Sequence, residues 1–293
     1  MTSDGWTVVH DQGFLFPECP RWHEGRLWFS DVVRRRVLAA SPSGIEVAAE
    51  FGDITAGLGF LPDGDLLAVQ VIDRLVLRVG ADGTSLHADV GREVDLNLND
   101  MVVDGRGNAY VSTLAIGGPD PHDVPSTPIV LVRPDGGVGV VGVPLCSPNG
   151  MTITADGSTL VVCETAAGRV SAFAIDADAG LSNHRVLADL GAGAAPDGAA
   201  QDASGTWIAT NVGREFVRID DRGRVTDRIG TGDRDAVACA LGGPDGRTLF
   251  GLTSRADLAR MSELVVGGSP VSDDDFDSQI ISRPVEHPRA GRP

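Results

Sequence analysis

Short apolar runs recur along the chain, each bounded by a polar, glycine-closed turn. Leu27–Trp28–Phe29, Leu66–Leu67–Ala68–Val69, Ala109–Tyr110–Val111, Leu160–Val161–Val162, Trp207–Ile208–Ala209 and Leu249–Phe250–Gly251 follow turns that close on Gly25, Gly64, Gly107, Gly157, Gly205 and Gly246. Successive closing glycines lie roughly 40–50 residues apart, the period of a repeat architecture. A second series of turns, closing on Gly44, Gly83, Gly136, Gly180 and Gly223, falls between members of the first. Two hairpin turns per repeat imply four antiparallel strands per repeat, the unit of a propeller blade. No segment sustains a helical period. The pattern therefore predicts an all-β fold, a six-bladed β-propeller over residues 1–293 as a single domain. The sixth repeat has no clear second turn, and its polar stretch 267–278, with Asp273–Asp274–Asp275, reads as a solvated loop. The early run Trp6–Thr7–Val8–Val9 is expected to pair with the last blade, closing the ring and removing exposed sheet edges.

The innermost strands of a propeller line its axis, so one register position across the blades forms a ring. Counting back from each closing glycine of the first series, that ring reads Glu18, Ala56, Asn99, Asn149, Asp197 and Ala238. Strand interiors disfavour Asn and Asp, and a buried carboxylate is costly unless paired or bound to a cation. Two carboxylates and two amide oxygens converging on an axis suit one hard divalent ion. Ca2+ fits best, with Zn2+, Mn2+ or Mg2+ as the other candidates. Turn capping is the competing explanation, because Pro148–Asn149–Gly150 and Pro196–Asp197–Gly198 are turn-like tripeptides.

These positions lie within Glu18–Cys19–Pro20–Arg21–Trp22, Asn99–Asp100–Met101–Val102–Val103–Asp104, Ser147–Pro148–Asn149–Gly150–Met151, Pro196–Asp197–Gly198 and Cys239–Ala240–Leu241–Gly242–Gly243–Pro244–Asp245. Taken in order at blade spacing, the chain resembles the SMP-30/gluconolactonase, or regucalcin, family. The resemblance implies a six-bladed propeller holding one divalent metal through Glu18, Asn149 and Asp197, with Asn99 at or near the ion, and hydrolysis of a lactone or related small ester. Asp197 is implied as general base. A ligand beside a dication is a weak base by Brønsted reasoning, so a purely ligating Asp197 is the alternative. Where many sugar lactonases of the family carry an Arg that contacts substrate hydroxyls, this chain has Asn97, which points to a smaller or less polar lactone. Phosphotriester hydrolysis and a non-catalytic ligand- or calcium-binding propeller are the other functions such a scaffold could serve. Glu164 and Asn211, just beyond the apolar strands of blades four and five, are further candidates to line the pocket. The polar insertion 115–128 is a candidate lid, with His122 reaching inward.

Net charge narrows the partners. At −17 the chain would repel nucleic acid and anionic membranes, so a small-molecule substrate is expected; the oligomeric state is open. The 24 basic residues are all Arg and scattered, apart from Arg34–Arg35–Arg36. No export signal or membrane-length apolar run is visible, which predicts a cytoplasmic protein with Cys19, Cys146, Cys163 and Cys239 as reduced thiols. The run Gly137–Val138–Gly139–Val140–Val141–Gly142 has dinucleotide-binding spacing but leads into Val143–Pro144 rather than a helix, so it is set aside.

Overall fold

Strands apolar on both faces must be covered on both faces, and the chain grades its strands accordingly. Leu66–Gln70 and Gly205–Thr210 are buried at every residue, whereas Gly44–Glu50 and Val225–Gly230 are largely exposed. The computed structural model describes residues 5–115, 124–191, 193–256, 272 and 276–292. Among these it shows six four-stranded antiparallel sheets, arranged as a six-bladed β-propeller. In each blade the buried strands lie inside and an exposed strand forms the rim.

The inner strands are Pro17–His23, Thr55–Phe60, Asn97–Val103, Pro148–Ile153, Pro196–Asp202 and Asp235–Gly242. Each touches the next, and the last touches the first, so they enclose a central channel. The apolar core is divided between the blades. Leu67, Met101 and Val130 fill the space between blades two and three, and Tyr110, Met151 and Phe173 that between three and four. Fully burying such a side chain contributes about 1.5–3 kcal/mol.

Both series of turns fall between strands as the repeat requires. Gly64 and Gly107 take the positive φ (95° and 85°) that their hairpins demand. In blade four the expectation is displaced by one residue: Ala179, not Gly180, holds the left-handed conformation, at φ 68°. Closure occurs as expected. Thr7–His10 pairs antiparallel with Phe276–Pro284 and supplies the outer strand of blade six. Trp6 anchors it, packing edge-on against Phe216 and donating Nε1–H to the Gly230 carbonyl at 3.0 Å.

Beyond the last strand, residues 285–292 run across the far end of the inner strands. The Pro288 carbonyl accepts from the Ala203 amide, Arg289 donates its amide to Gly246, and Arg292 and Ile153 exchange two backbone bonds. Among the described residues no helix is long and apolar enough to cross a membrane. His122 with most of the candidate lid, and Asp273–Asp275, lie outside the described residues.

Candidate active site at the channel mouth

Glu18, Asn99, Asn149 and Asp197 sit near the starts of four different inner strands, at one end of the channel. All six inner strands shift register against their neighbours at this level, between Glu18 and Arg21, Thr55 and Leu58, Leu98 and Met101, Pro148 and Met151, Pro196 and Ala199, and Ala236 and Ala238. Such bulges bend a strand and re-aim its side chains. This is how polar residues embedded in strands come to face the axis.

The turn-like tripeptides are strand starts. Pro148 and Pro196 open inner strands, where a missing N–H is tolerated. Their glycines are required by close approach: a Cβ on Gly150 would lie 2.3 Å from the Asp197 carbonyl oxygen, and one on Gly198 would lie 2.5 Å from the Ala238 Cβ. Gly57, after Ala56, is similarly pressed, 2.7 Å from the Met101 nitrogen. Small residues after the ring positions let adjacent inner strands crowd together and narrow the channel.

The Asn99 amide donates to Asn149 Oδ1 at 2.9 Å. The Asn149 amide donates to the Thr165 hydroxyl, which donates to the Pro196 carbonyl at 2.7 Å, tying blade four to blade five. Asn211 donates to Asp197 Oδ2 at 3.4 Å. Thr165 and Asn211 each follow the second strand of their blade, so blades four and five use one position to hold their ring residue. Asn97 is half-buried at the start of its strand, two residues ahead of Asn99.

Asp197 is almost wholly buried, and burial pushes its carboxyl up to about 7 against the Asn211 hydrogen bond, with the Asp100 charge adding to the rise. Burial, then the charges of Asp197 and Asp100, raise Glu18 well above the usual carboxylate range, offset in part by the Cys19 amide and Arg21. Acids of like charge crowded in a low-dielectric channel are what a divalent cation relieves. The donor set, all oxygen and part amide, suits a hard ion. Among the described residues no group of three or more His, Cys, Asp or Glu is placed to hold a metal, so any ion at the axis needs the amide oxygens. A cysteine nucleophile is disfavoured here, because burial pushes the Cys19, Cys163 and Cys239 thiols far up.

Glu164 is not brought to the ring. Its Oε1 accepts from Arg169 Nε and Ser171, and its Oε2 from Arg169 and from the amide of Cys146 at the end of blade three, which leaves the fully buried carboxylate occupied away from the ring. Asp31 does the same in blade one, accepting from Arg36 and from the Leu15 and Phe16 amides.

Besides Thr165, two residues of this region escaped the sequence reading. Asp100 is buried one position past Asn99, and Arg21 is buried three past Glu18. The Arg21 guanidinium donates to Asp100 at 2.9 Å, to the Leu58 and Pro20 carbonyls at 2.8 Å each, and to the Met101 carbonyl. An Arg and an Asp in separate inner strands, each costly to bury alone, carried a signal that they pair.

A sequence model described as the SMP-30/Gluconolactonase/LRE-like region matches residues 16–255. The pentonolactonase XacC of Haloferax volcanii is 28% identical over 259 residues, covering 86% of each chain. The 6-deoxy-6-sulfogluconolactonase of Pseudomonas putida is 25% identical, over 83% of this chain and 85% of the relative. A solved structure of regucalcin, a calcium-binding protein from Agrobacterium tumefaciens, superposes with a TM-score of 0.79 at 19% identity, covering 99% of this chain and 96% of that one, and so shares the fold.

Proposed function

The chain belongs to the SMP-30/gluconolactonase/LRE-like family, and from that premise we propose that it hydrolyses a lactone at the ring, with one divalent cation held by Glu18, Asn149 and Asp197 and with Asn99 beside it. The observation that carries this reading is the convergence of side-chain oxygens from four blades, with Glu18 and Asp197 raised above their ordinary range where they meet. Ca2+ is the ion the donor set favours; Zn2+, Mn2+ and Mg2+ are the alternatives to be tested. The relatives' names, a pentonolactonase and a sulfogluconolactonase, support a lactone as the substrate.

When bound, the cation supplies Lewis-acid polarisation of the lactone carbonyl and stabilises the negative charge that develops on its oxygen. The remaining work falls to the chain. Asn99 and Asn149 hold each other and fix the mouth of the channel. Asp197, oriented by Asn211, takes the proton of the attacking water. Asn97, in place of an arginine, offers one amide to the substrate, which favours a smaller or less hydroxylated lactone.

The test is a panel of sugar-derived and aliphatic lactones assayed on metal-stripped protein with Ca2+, Zn2+, Mn2+ or Mg2+ restored. Ester opening that depends on one added ion and is lost in Glu18→Gln and Asp197→Asn is the expected result. Full turnover in chelator, or undiminished turnover in both variants, refutes the reading.

A further inference from the structure

The channel has a second end. Arg21 and Asp100 lie between it and the ring. On the far side, where the inner strands finish, opens a cavity of about 490 Å³ walled by Arg21, Trp22, Phe60 and Val103 and bordered by Arg289 and Arg292. The Arg21 guanidinium is consumed by Asp100 and three carbonyls. Arg289 and Arg292 are different. Arg289 donates to the Trp22 carbonyl at 2.8 Å, and partial burial together with the Arg292 charge holds it below the ordinary guanidinium range. Among the described residues no carboxylate forms an ion pair with either one, although many arginines of this acidic chain are paired, such as Arg78 with Asp63 and Asp65 and Arg255 with Asp233 and Asp277. The backbone carrying them is pinned at Gly246, Gln201 and Ile153, so the two cations are held at the cavity in spite of their repulsion. Glu24, the acid at the rim, faces His23 at 3.9 Å.

We propose that this cavity binds a small oxyanion-bearing metabolite, a phosphate ester or a carboxylate, with Arg289 and Arg292 gripping the oxyanion and Trp22 and Phe60 packing against the body. Guanidinium forks match the geometry of both headgroups, and a space of this volume takes more than a bare ion. Phe60, stacked on His23 at 3.7 Å, and Trp22, stacked on Phe250 at 5.2 Å, give the site rigid aromatic walls. The site is independent of the ring and of its chemistry.

Calorimetric titration of the full chain with inorganic phosphate and, separately, with succinate, at an ionic strength fixed with sodium chloride, tests it. One site is expected, and the tighter probe identifies the headgroup. Arg292→Gln should weaken binding roughly ten-fold or more, the usual effect of losing a charge-assisted hydrogen bond. Gly105→Asp tests the same point while keeping the arginine: a Cβ there would stand 3.5 Å from the Arg292 guanidinium and no closer to anything else, so the new carboxylate should occupy it and weaken binding similarly. Asp197→Asn should leave the affinity within about two-fold, since non-contacting distant sites act independently. No binding of either probe, wild-type affinity in both Arg292→Gln and Gly105→Asp, or loss of binding in Asp197→Asn overturns the proposal.

Discussion

Gly150 separates the two strands that carry Asn149 and Asp197, and replacing it with Ala tests whether the ring depends on that spacing. The added Cβ would lie 2.6 Å from the Gly198 Cα and 2.3 Å from the Asp197 carbonyl oxygen, both backbone atoms. Carbon atoms in contact settle at about 3.5 Å, so the strands must part by roughly 1 Å. Overpacking of this kind costs about 1–3 kcal/mol. For a chain of this size that is a fall in Tm of about 2 °C per kcal/mol, or roughly 4 °C for a cost near 2 kcal/mol. The same displacement moves Asn149 away from Asp197, and an error of about 1 Å in a reacting site can lower turnover about 100-fold. Gly139→Ala is the control, because nothing lies within 4 Å of its added Cβ and its φ is ordinary; it should leave Tm and kcat/KM unchanged. Thermal unfolding and lactone turnover of the two variants decide the matter. A Gly150→Ala protein with the Tm and kcat/KM of the parent would refute the account of the glycine and of the ring spacing.

Metal-stripped protein should be more stable at pH 5.5 than at pH 8, because a carboxyl raised to about 7 in the folded state and near 4 when unfolded costs increasing stability as pH climbs through that window; restored cation should flatten the difference, as followed by thermal unfolding. At pH 8, Asp197→Asn should raise the Tm of the stripped protein and abolish turnover of the cation-restored protein, a combination that a simple folding defect cannot produce. Thr165→Val removes the hydroxyl that holds Asn149 and should weaken metal affinity about 10–100-fold by calorimetry, as loss of a supporting partner generally does. Glu164→Gln should cost about 2 kcal/mol, discounted from a fully buried pair because Arg169 is partly exposed, and should leave KM unchanged if Glu164 has no part in substrate contact.

The blade count was legible because propeller turns are local: Gly64 and Gly107 announce hairpins with residues only a few positions apart. The ring positions fall in the inner strands for a related reason, since counting back eight residues from the closing glycine, or seven in the first blade, reaches the early part of each inner strand. What failed to show was contact between side chains and backbones of different strands, within a blade or between blades. Gly150 and Gly198 look like turn glycines in the sequence because nothing local distinguishes a glycine needed for positive φ from one needed for a neighbouring backbone. Glu164 looked available because Arg169 and Ser171 come from the next strand, and which face they share depends on register. Asn211 and Thr165 occupy equivalent positions, yet only Asn211 stood out, since threonine is ordinary in a β-protein.

Arg21 and Asp100 show how one buried pair can serve both ends of the channel. A charge pair in the interior recovers its desolvation cost only when the remaining donors are also satisfied, and here the guanidinium reaches carbonyls of blades one, two and three as well as Asp100. It therefore stitches three inner strands together below the ring. Its charge also lowers the Glu18 carboxyl, while that of Asp100 raises both Glu18 and Asp197, so the pair adjusts the acids from beneath without reaching a substrate. Removing only Arg21 would leave Asp100 unpaired beside two raised carboxylates, a buried cluster of like charge. Arg21→Met should accordingly destabilise the chain by about 3–5 kcal/mol, whereas Arg21→Met with Asp100→Leu should recover part of that loss. Equal unfolding free energies for the single and double variants would show that the pair is not the element that holds the channel together.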